Sequence, residues 1–379
     1  MSSPVIKSVQ EQVQNRKIAT GHPSKQPYQK QKRWFKMALF LFAGITFVSV
    51  TLAVMLGPVK ITPLTVWKII LSHFPMIGGM VEQDWSQAQD YIVWNIRLPR
   101  VLLGVVIGSG LAIVGTVIQA LVRNSLADPY ILGVSSGASV AATLVIIFGA
   151  LPLFGQYALS IGSFLGALLS MIMVYILAQT SGRVNNTRLL LSGIAVSMVL
   201  SAITNLIVTM APNEQGIRDA MFWMMGSLAG AKWEYLTIPS FVVLFGLFFL
   251  LFQYRSLNAL LMGEETATTL GINTDTFRKV LILISSLVTG VIVAVSGAIG
   301  FIGLMVPHIT RFLIGSDHRR VLPISAFLGA IITIWADVLA RLIFAPQELP
   351  IGVVTAMCGG PFFIWLLRRQ TYSFGGANR

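Results

Sequence analysis

Three arginines lie at the ends of apolar segments, where their side chains could hold an acidic partner. Arg97 and Arg100 form the sequence RLPR before one such segment, and Arg341 ends another. A guanidinium binds a carboxylate through two parallel N–H groups, which suits the recognition of an acidic protein surface. The open alternative is that all three arginines are interfacial anchors of membrane helices.

A second polar group lies in the segment 255–277, RSLNALLMGEETATTLGINTDTF, between two long apolar stretches. Its middle, 263–270, is predicted to be a short helix with two acids in the first turn, where the helix dipole favours them. A glycine follows, as is usual at a helix end. This helix could dock on a soluble partner, and an ordinary amphipathic loop is the alternative. The candidate docking residues are Gly263, Glu264, Glu265, Ala267, Leu270 and Gly271.

Small and soft side chains inside apolar segments could line a polar pathway. Ser135, Ser136 and Ser139 lie in the sequence GVSSGAS, and Met171 and Met173 lie in a later apolar segment. Glycines spaced four apart in these segments predict close helix contacts instead of a substrate role. These glycines are Gly104, Gly108, Gly133, Gly137, Gly162 and Gly166.

Motifs that would indicate catalysis are missing from the sequence. It contains no G-x-x-x-x-G-K-[ST] phosphate loop and no H-E-x-x-H. Its four histidines are scattered, and Cys358 is the only cysteine. We therefore predict no catalytic residues and no metal site, so this chain is not expected to be an enzyme.

The elements that position these residues are membrane helices. The chain is 55% hydrophobic and 11% charged, whereas a soluble domain carries about 25% charged residues. A membrane-crossing helix needs about 20 apolar residues, and ten segments qualify once one short stretch is included. The predicted spans are 35–56, 98–121, 130–149, 157–179, 188–210, 236–254, 278–298, 300–314, 320–343 and 351–367. The fold class is therefore an all-α polytopic membrane protein.

The basic residues orient these spans. With the N-terminus inside, the 27 Lys and Arg divide into 20 on the inner side and 7 on the outer side, a strong positive-inside bias. Both termini are thus predicted to be cytoplasmic, and the net charge of +13 reflects topology and not nucleic-acid binding. We expect a basic, disordered tail over 1–33, a permease domain over 34–370 and a cytoplasmic tail over 371–379.

Acidic residues are absent from the predicted span centres. Asp337 comes closest, four residues before Arg341 on one helix face, so the two side chains can pair. Ion-coupled transporters usually need buried ionisable relays, so the energy for transport should come from another subunit. The stretches 104–133 and 284–315 share a rhythm of glycine-dotted helix, proline break and second helix, a weak sign of inverted repeats.

Four ordered blocks of the sequence resemble the iron-siderophore and vitamin B12 (FecCD-type) permease family of bacterial ABC importers, over residues 35 to 370. The blocks are RLPRVLLGVVIGSGLAIVGTVIQALVRNSLADPYILGVSSGA, GEETATTLGI, GFIGLMVPHITRFLIGSDHR and ELPIGVVTAMCGGPFFIWLLRR. The resemblance implies a type II importer fold in the bacterial cytoplasmic membrane, with ten helices in each of two permease subunits, identical or paralogous. It also implies two ATP-binding subunits that hold ATP and Mg²⁺, an extracytoplasmic substrate-binding protein or lipoprotein, and no cofactor in this subunit.

The resemblance also assigns roles by motif. The helix within 263–271 resembles the coupling helix that enters a groove on the ATPase. Arg97, Arg100 and Arg341 match external arginines that pair with glutamates of the binding protein. A ferric siderophore is the first expected substrate, with vitamin B12 or haem as the alternative. An ion-coupled secondary transporter is the alternative of another class.

Overall fold

The computed structural model describes residues 26–76, 78–180 and 183–369 of the 379-residue chain. The predicted C-terminal tail, 371–379, and most of the predicted N-terminal tail, 1–25, lie outside the described residues. The predictions for these segments therefore stay predictions.

The chain divides into a short N-terminal unit, which ends at Leu41, and a second unit from Phe42 onward. The first helix begins at Gln26, so the end of the predicted irregular tail is helical. The Gln and Lys residues that follow Pro27 are good helix formers, and proline is tolerated in a first helical turn. The helix therefore extends beyond its apolar part.

The described structure is built from α-helices. In chain order they are α1 (Gln26–Met55), α2 (Pro63–Ser72), α3 (Gln87–Tyr91), α4 (Leu98–Val122), α5 (Val134–Phe148), α6 (Ala158–Ala178), α7 (Asn186–Thr209), α8 (Glu214–Met224), α9 (Thr237–Phe252), α10 (Tyr254–Met262), α11 (Glu264–Thr269), α12 (Thr274–Ser296), α13 (Ile302–Ile314), α14 (His318–Leu342) and α15 (Ile351–Arg369). A π-helical turn leads into α4. Two short antiparallel strands, β1 (Gln179–Thr180) and β2 (Arg183–Val184), connect α6 to α7.

All ten predicted spans coincide with helices of this series. Among the described residues, eight candidate spans are long and apolar enough to cross a bilayer. The remaining two helices, α5 and α13, have 15 and 13 residues, fewer than the roughly 20 needed to cross. The first turns of both helices are buried inside the bundle. This burial allows helices too short to cross the bilayer to be part of the membrane fold.

Helix α4 lies at the centre of the bundle, and nearly all of its residues are buried. Gly108 of α4 faces Gly329 of α14 so closely that a Cβ on either would overlap the carbonyl oxygen of the other. Gly137 of α5 and Gly166 of α6 make the same kind of contact. The predicted close packing at these glycines is confirmed, because only small residues let helix backbones touch.

The break between α12 and α13 is not made by a proline. Gly297 and Phe301 adopt positive φ values of 65° and 68° and turn the chain. Pro307 lies inside α13, so the predicted proline break is wrong here. Proline lacks the N–H that would bond the carbonyl of Gly303, and the side-chain amide of Gln119 reaches that oxygen at 3.5 Å instead.

Candidate functional site

The ends of α4 and α14 that are predicted to be external are joined by a buried charge cluster. Arg100 Nε donates to both carboxylate oxygens of Asp337, at 3.0 and 3.1 Å, and Nη1 donates to both oxygens of Glu348, at 3.0 and 2.9 Å. Arg341 Nε lies 3.0 Å from Asp337 Oδ2, which confirms the predicted pairing of these two residues. One carboxylate thus serves two guanidinium groups, and Glu348, with 36% of its side chain exposed, brings the cluster to the surface.

The guanidinium groups of Arg97 and Arg341 also donate hydrogen bonds to backbone carbonyls near the end of α1. The acceptors are Val54, Met55 and Val59 for Arg97, and Ala53 and Leu56 for Arg341, at 2.7–3.2 Å. The last carbonyls of a helix lack intrahelical partners and attract cations. Arg97, Arg100 and Arg341 are only 4%, 5% and 6% exposed. The expectation that these arginines are exposed at the outer surface is therefore wrong, and their role in docking a binding protein stays a prediction.

The segment between α1 and α4 forms a rim beside this cluster. The ring of His73 stacks on Trp94 with centroids 4.0 Å apart, and Trp94 lies 4.9 Å from Trp233. The Lys68 ammonium hydrogen-bonds the carboxylate of Asp84 and holds the pKa of that acid below its usual value. These contacts fix the rim relative to the starts of α4 and α9.

The predicted short helix in the inner segment is confirmed as α11. Gly263, with φ +122°, separates it from α10, and Gly271, with φ +82°, follows its end. A residue with a Cβ would be strained at both φ values. The two glycines therefore shape the turns before and after α11.

The docking candidates of α11 divide between the two sides of the helix. Glu264 Oε2 lies 3.0 Å from Arg278 Nη2 of α12, and Ala267 is fully buried. Glu265 and Leu270 are exposed, and the paired side chain of Glu264 is itself 46% exposed. Ala267 thus packs the segment onto the bundle, contrary to an outward-facing role, and the exposed side of α11 presents Glu265 and Leu270.

A hydrogen-bonded link connects the inner segment to α14. Asn258 of α10 donates from Nδ2 to Asp317 Oδ1 at 2.8 Å and accepts from the backbone N–H of His318 at 2.9 Å. Asp317 also caps α14 through the N–H of Arg319. The far end of α14 carries Asp337, so one helix of 25 residues, about 37 Å long, joins the inner segment to the outer cluster.

Irregular backbone lies deep within the bundle, next to the middle of α4. Gly303 contacts Leu111 and Gly115 there. Tyr130 Oη donates to the carbonyl of Ile299 at 3.0 Å and accepts from the N–H of Ile299 at 2.9 Å. Non-helical backbone at membrane depth is tolerated where it is buried in protein or lines a water-filled cavity. Interrupted helices of this kind mark binding sites in many transporters.

Helix α7 presents polar side chains on an exposed face. Ser197, Ser201 and Asn205 recur every fourth residue, which places them on one side of the helix. With Met198 and Ile131 they line a cavity of about 510 Å³. Lipid cannot hydrogen-bond an amide or hydroxyl group, so this face is suited to water or to another protein chain. No sequence prediction covered this face, although its four-residue spacing is visible in the sequence.

The structure does not gather the five predicted pathway residues into one surface. Ser135, Ser136 and Ser139 are half-buried on α5, and Ser139 Oγ donates to the carbonyl of Ser135 at 3.0 Å. Met171 is buried in the core, whereas Met173 is 49% exposed, because residues two apart point in nearly opposite directions on a helix. The pathway role of these five residues stays a prediction.

The histidines serve structural contacts in the described part of the chain. His308 Nε2 lies 2.6 Å from the carbonyl of Ser125, and His318 Nδ1 lies 2.7 Å from Asn258 Oδ1. No group of three or more His, Cys, Asp and Glu side chains that could hold a metal ion occurs among the described residues.

Apolar spans, deep helix breaks and a polar exposed face define a multi-pass permease of the cytoplasmic membrane. The sequence matches the profile of the FecCD transport family over residues 45–369, and the chain belongs to this family. It is 43% identical to the hemin transport system permease HmuU of Yersinia pestis over 76% of this chain and 87% of that protein. It is 44% identical to the Fe(3+)-citrate import permease YfmD of Bacillus subtilis over 76% and 84%. A solved metal-chelate type ABC transporter in an inward-facing conformation matches with a TM-score of 0.76 and 30% identity, over 88% of this chain and 99% of that one.

Proposed function

We propose that this chain forms half of the translocation path of an ATP-driven importer whose substrate is a ferric siderophore. The chain is a permease of the ABC-importer class that carries iron chelates, haem or vitamin B12. The narrower substrate rests on the exposed face of α7. Its hydroxyl and amide groups suit a polar chelate that offers many hydrogen-bond acceptors, and the cargo must bring its own iron ligands.

The partners follow from what the chain offers on its two sides. The exposed side of α11 would enter a groove on an ATP-binding subunit, which supplies the ATP and Mg²⁺ site that this sequence lacks. The face of α7 would meet a second permease subunit, identical or paralogous, and the two copies would enclose the path. A substrate-binding protein would dock near Glu348 and the arginines behind it.

Transport then proceeds by rigid-body motion. Closure of the two ATPase subunits moves α10 and α11, and the Asn258 link transmits this motion to α14. Packed helices shift between discrete arrangements and do not deform continuously. The path therefore alternates between an outer and an inner opening as the two permease subunits rock.

Uptake by cells tests the substrate. A strain that lacks this gene is complemented with the wild-type chain, and uptake of radiolabelled ferric siderophores, haem and cobalamin is measured in parallel. Restored uptake of a ferric siderophore alone is expected. Restored uptake of haem or vitamin B12 without uptake of any siderophore would overturn the proposed substrate but leave the assignment to the importer class unchanged.

Haem is the second candidate substrate, because a 43% identical relative is a hemin permease. Haem is flat and largely apolar, so its path should be lined mainly by apolar and aromatic groups. Replacing Asn205 by leucine distinguishes the two candidates. Siderophore transport should fall with the loss of the amide, whereas haem transport should be maintained.

A further inference from the structure

An apolar groove lies between α6, α9 and α12. Its volume is about 570 Å³. Its walls are almost entirely hydrocarbon: Phe164, Leu165, Ile238, Val242, Leu287 and Val291. Tyr157, Tyr235 and Glu234 gather at one end, where the two tyrosine rings meet edge to face with centroids 6.2 Å apart.

The groove opens to lipid. The exposed side chains of α9 are Ile238, Phe241, Leu244, Phe245, Phe248 and Phe252. Those of α6 are also large and apolar, including Leu169 and Ile176. Faces with this composition meet hydrocarbon, whereas the exposed side of α7 carries Ser201 and Asn205 among its apolar residues.

The length of the groove matches one leaflet. Its lining runs from Tyr157, just before α6, to Leu165. On α12 it runs from Leu287 to Val295. Each stretch covers eight residue steps, about 12 Å at the helical rise. Half of a bilayer hydrocarbon core is about 15 Å thick. Aromatic residues that carry hydroxyl groups occupy the interfacial level of membranes, so the tyrosine end belongs at the headgroups of the outer leaflet.

The charges at that end select the headgroup. Glu234 is the one charged side chain among the described residues that line the groove, and Lys232, two residues earlier, is exposed. A carboxylate attracts an ammonium group and repels an anionic headgroup. We infer that the groove binds one acyl chain of an outer-leaflet phosphatidylethanolamine, with its ammonium group on Glu234 and its phosphate near Lys232.

Lipid retention tests this site independently of the transported substrate. The full-length chain, purified with the subunits it assembles with, is exchanged into mixed micelles that contain equal phosphatidylethanolamine and phosphatidylglycerol. Native mass spectrometry counts the lipids that stay bound. Ala294→Phe fills the groove from its wall, and Leu244→Phe adds the same ring to an exposed lipid-facing position outside it. Glu234→Gln removes the headgroup contact, with exposed Glu214→Gln as its charge control.

The expected result is one retained phosphatidylethanolamine per chain, lost in Ala294→Phe and kept in Leu244→Phe. Glu234→Gln should retain a phospholipid but lower the preference for phosphatidylethanolamine over phosphatidylglycerol by about two- to fivefold, the size of an exposed ion pair. Equal retention of both lipids by the wild type would overturn the headgroup assignment. Equal phospholipid retention by wild type and Ala294→Phe, or occupancy by detergent or free fatty acid alone, would overturn the site itself.

Discussion

Replacing Asp337 by asparagine should strongly destabilise the fold, because it removes the carboxylate shared by two buried arginines. The side chains of Asp337, Arg100 and Arg341 are only 3%, 7% and 6% exposed, so water cannot compensate for the lost charge. Removing one partner of a buried ion pair typically costs about 3–5 kcal/mol. Arg100 keeps Glu348, and Arg341 keeps its backbone acceptors. We therefore expect the lower end, about 3 kcal/mol or roughly 100-fold in the unfolding equilibrium.

The assay is reversible unfolding in mixed micelles titrated with a denaturing detergent. Asp219→Asn is the matched control, since Asp219 is exposed and lies on α8, and it should change stability by less than about 0.5 kcal/mol. A double-mutant cycle with Arg100→Gln should be non-additive by at least about 1 kcal/mol. Equal effects of Asp337→Asn and Asp219→Asn, or an additive cycle, would refute the shared-carboxylate argument.

Three further substitutions test the inner segment, the exposed face of α7 and the deep helix break. Glu264→Lys places a like charge against the buried Arg278 of α12 and should lower ATP-driven uptake about fivefold or more. Glu265 is exposed, so Glu265→Gln should leave membrane insertion intact and weaken only the binding of the ATPase subunit. Asn205→Leu should reduce siderophore uptake with unchanged thermal stability, while the neighbouring lipid-compatible Leu206→Ile keeps both. Tyr130→Phe leaves two buried backbone groups unpaired, so its unfolding free energy should fall by about 1–3 kcal/mol; a change below about 0.3 kcal/mol would contradict that bond.

The spans could be predicted from the sequence because a bilayer imposes a length and a composition on every crossing helix. This constraint located even α5 and α13, although neither is long enough to cross alone. The Asp337 and Arg341 pair could be predicted too, because a spacing of four places both residues on one helical face. Local periodicity was sufficient in each case.

The partners of the arginines could not be predicted, because they are distant in the chain. Arg100 meets Glu348 from 248 residues away, and Arg97 meets carbonyls some 40 residues earlier. A charged residue at the end of a span looks exposed in the sequence, whereas the free carbonyls of a neighbouring helix end can bury it. The Asn258 link could not be predicted for the same reason, because its partners lie about 60 residues away in the chain.

The pathway residues show a different limit. Composition pointed to the serines of α5 and to Met171 and Met173, because small and soft side chains suit a path. Whether a side chain can line a path depends on the direction in which it points from its helix. Met171 is buried, whereas Met173 lies on the exposed side of α6. The exposed polar face of α7 carries the stronger signal, since hydroxyl and amide groups at Ser201 and Asn205 have no partner in lipid.

Uptake into proteoliposomes distinguishes an ATP-driven importer from an ion-coupled transporter. The chain is reconstituted with its ATP-binding subunits, and a ferric siderophore with its binding protein is presented on the opposite side of the membrane. Accumulation that requires ATP and Mg²⁺ and persists when ionophores collapse all ion gradients is the predicted result. Accumulation that proceeds without ATP and stops when the gradients collapse would contradict the account and identify an ion-coupled transporter.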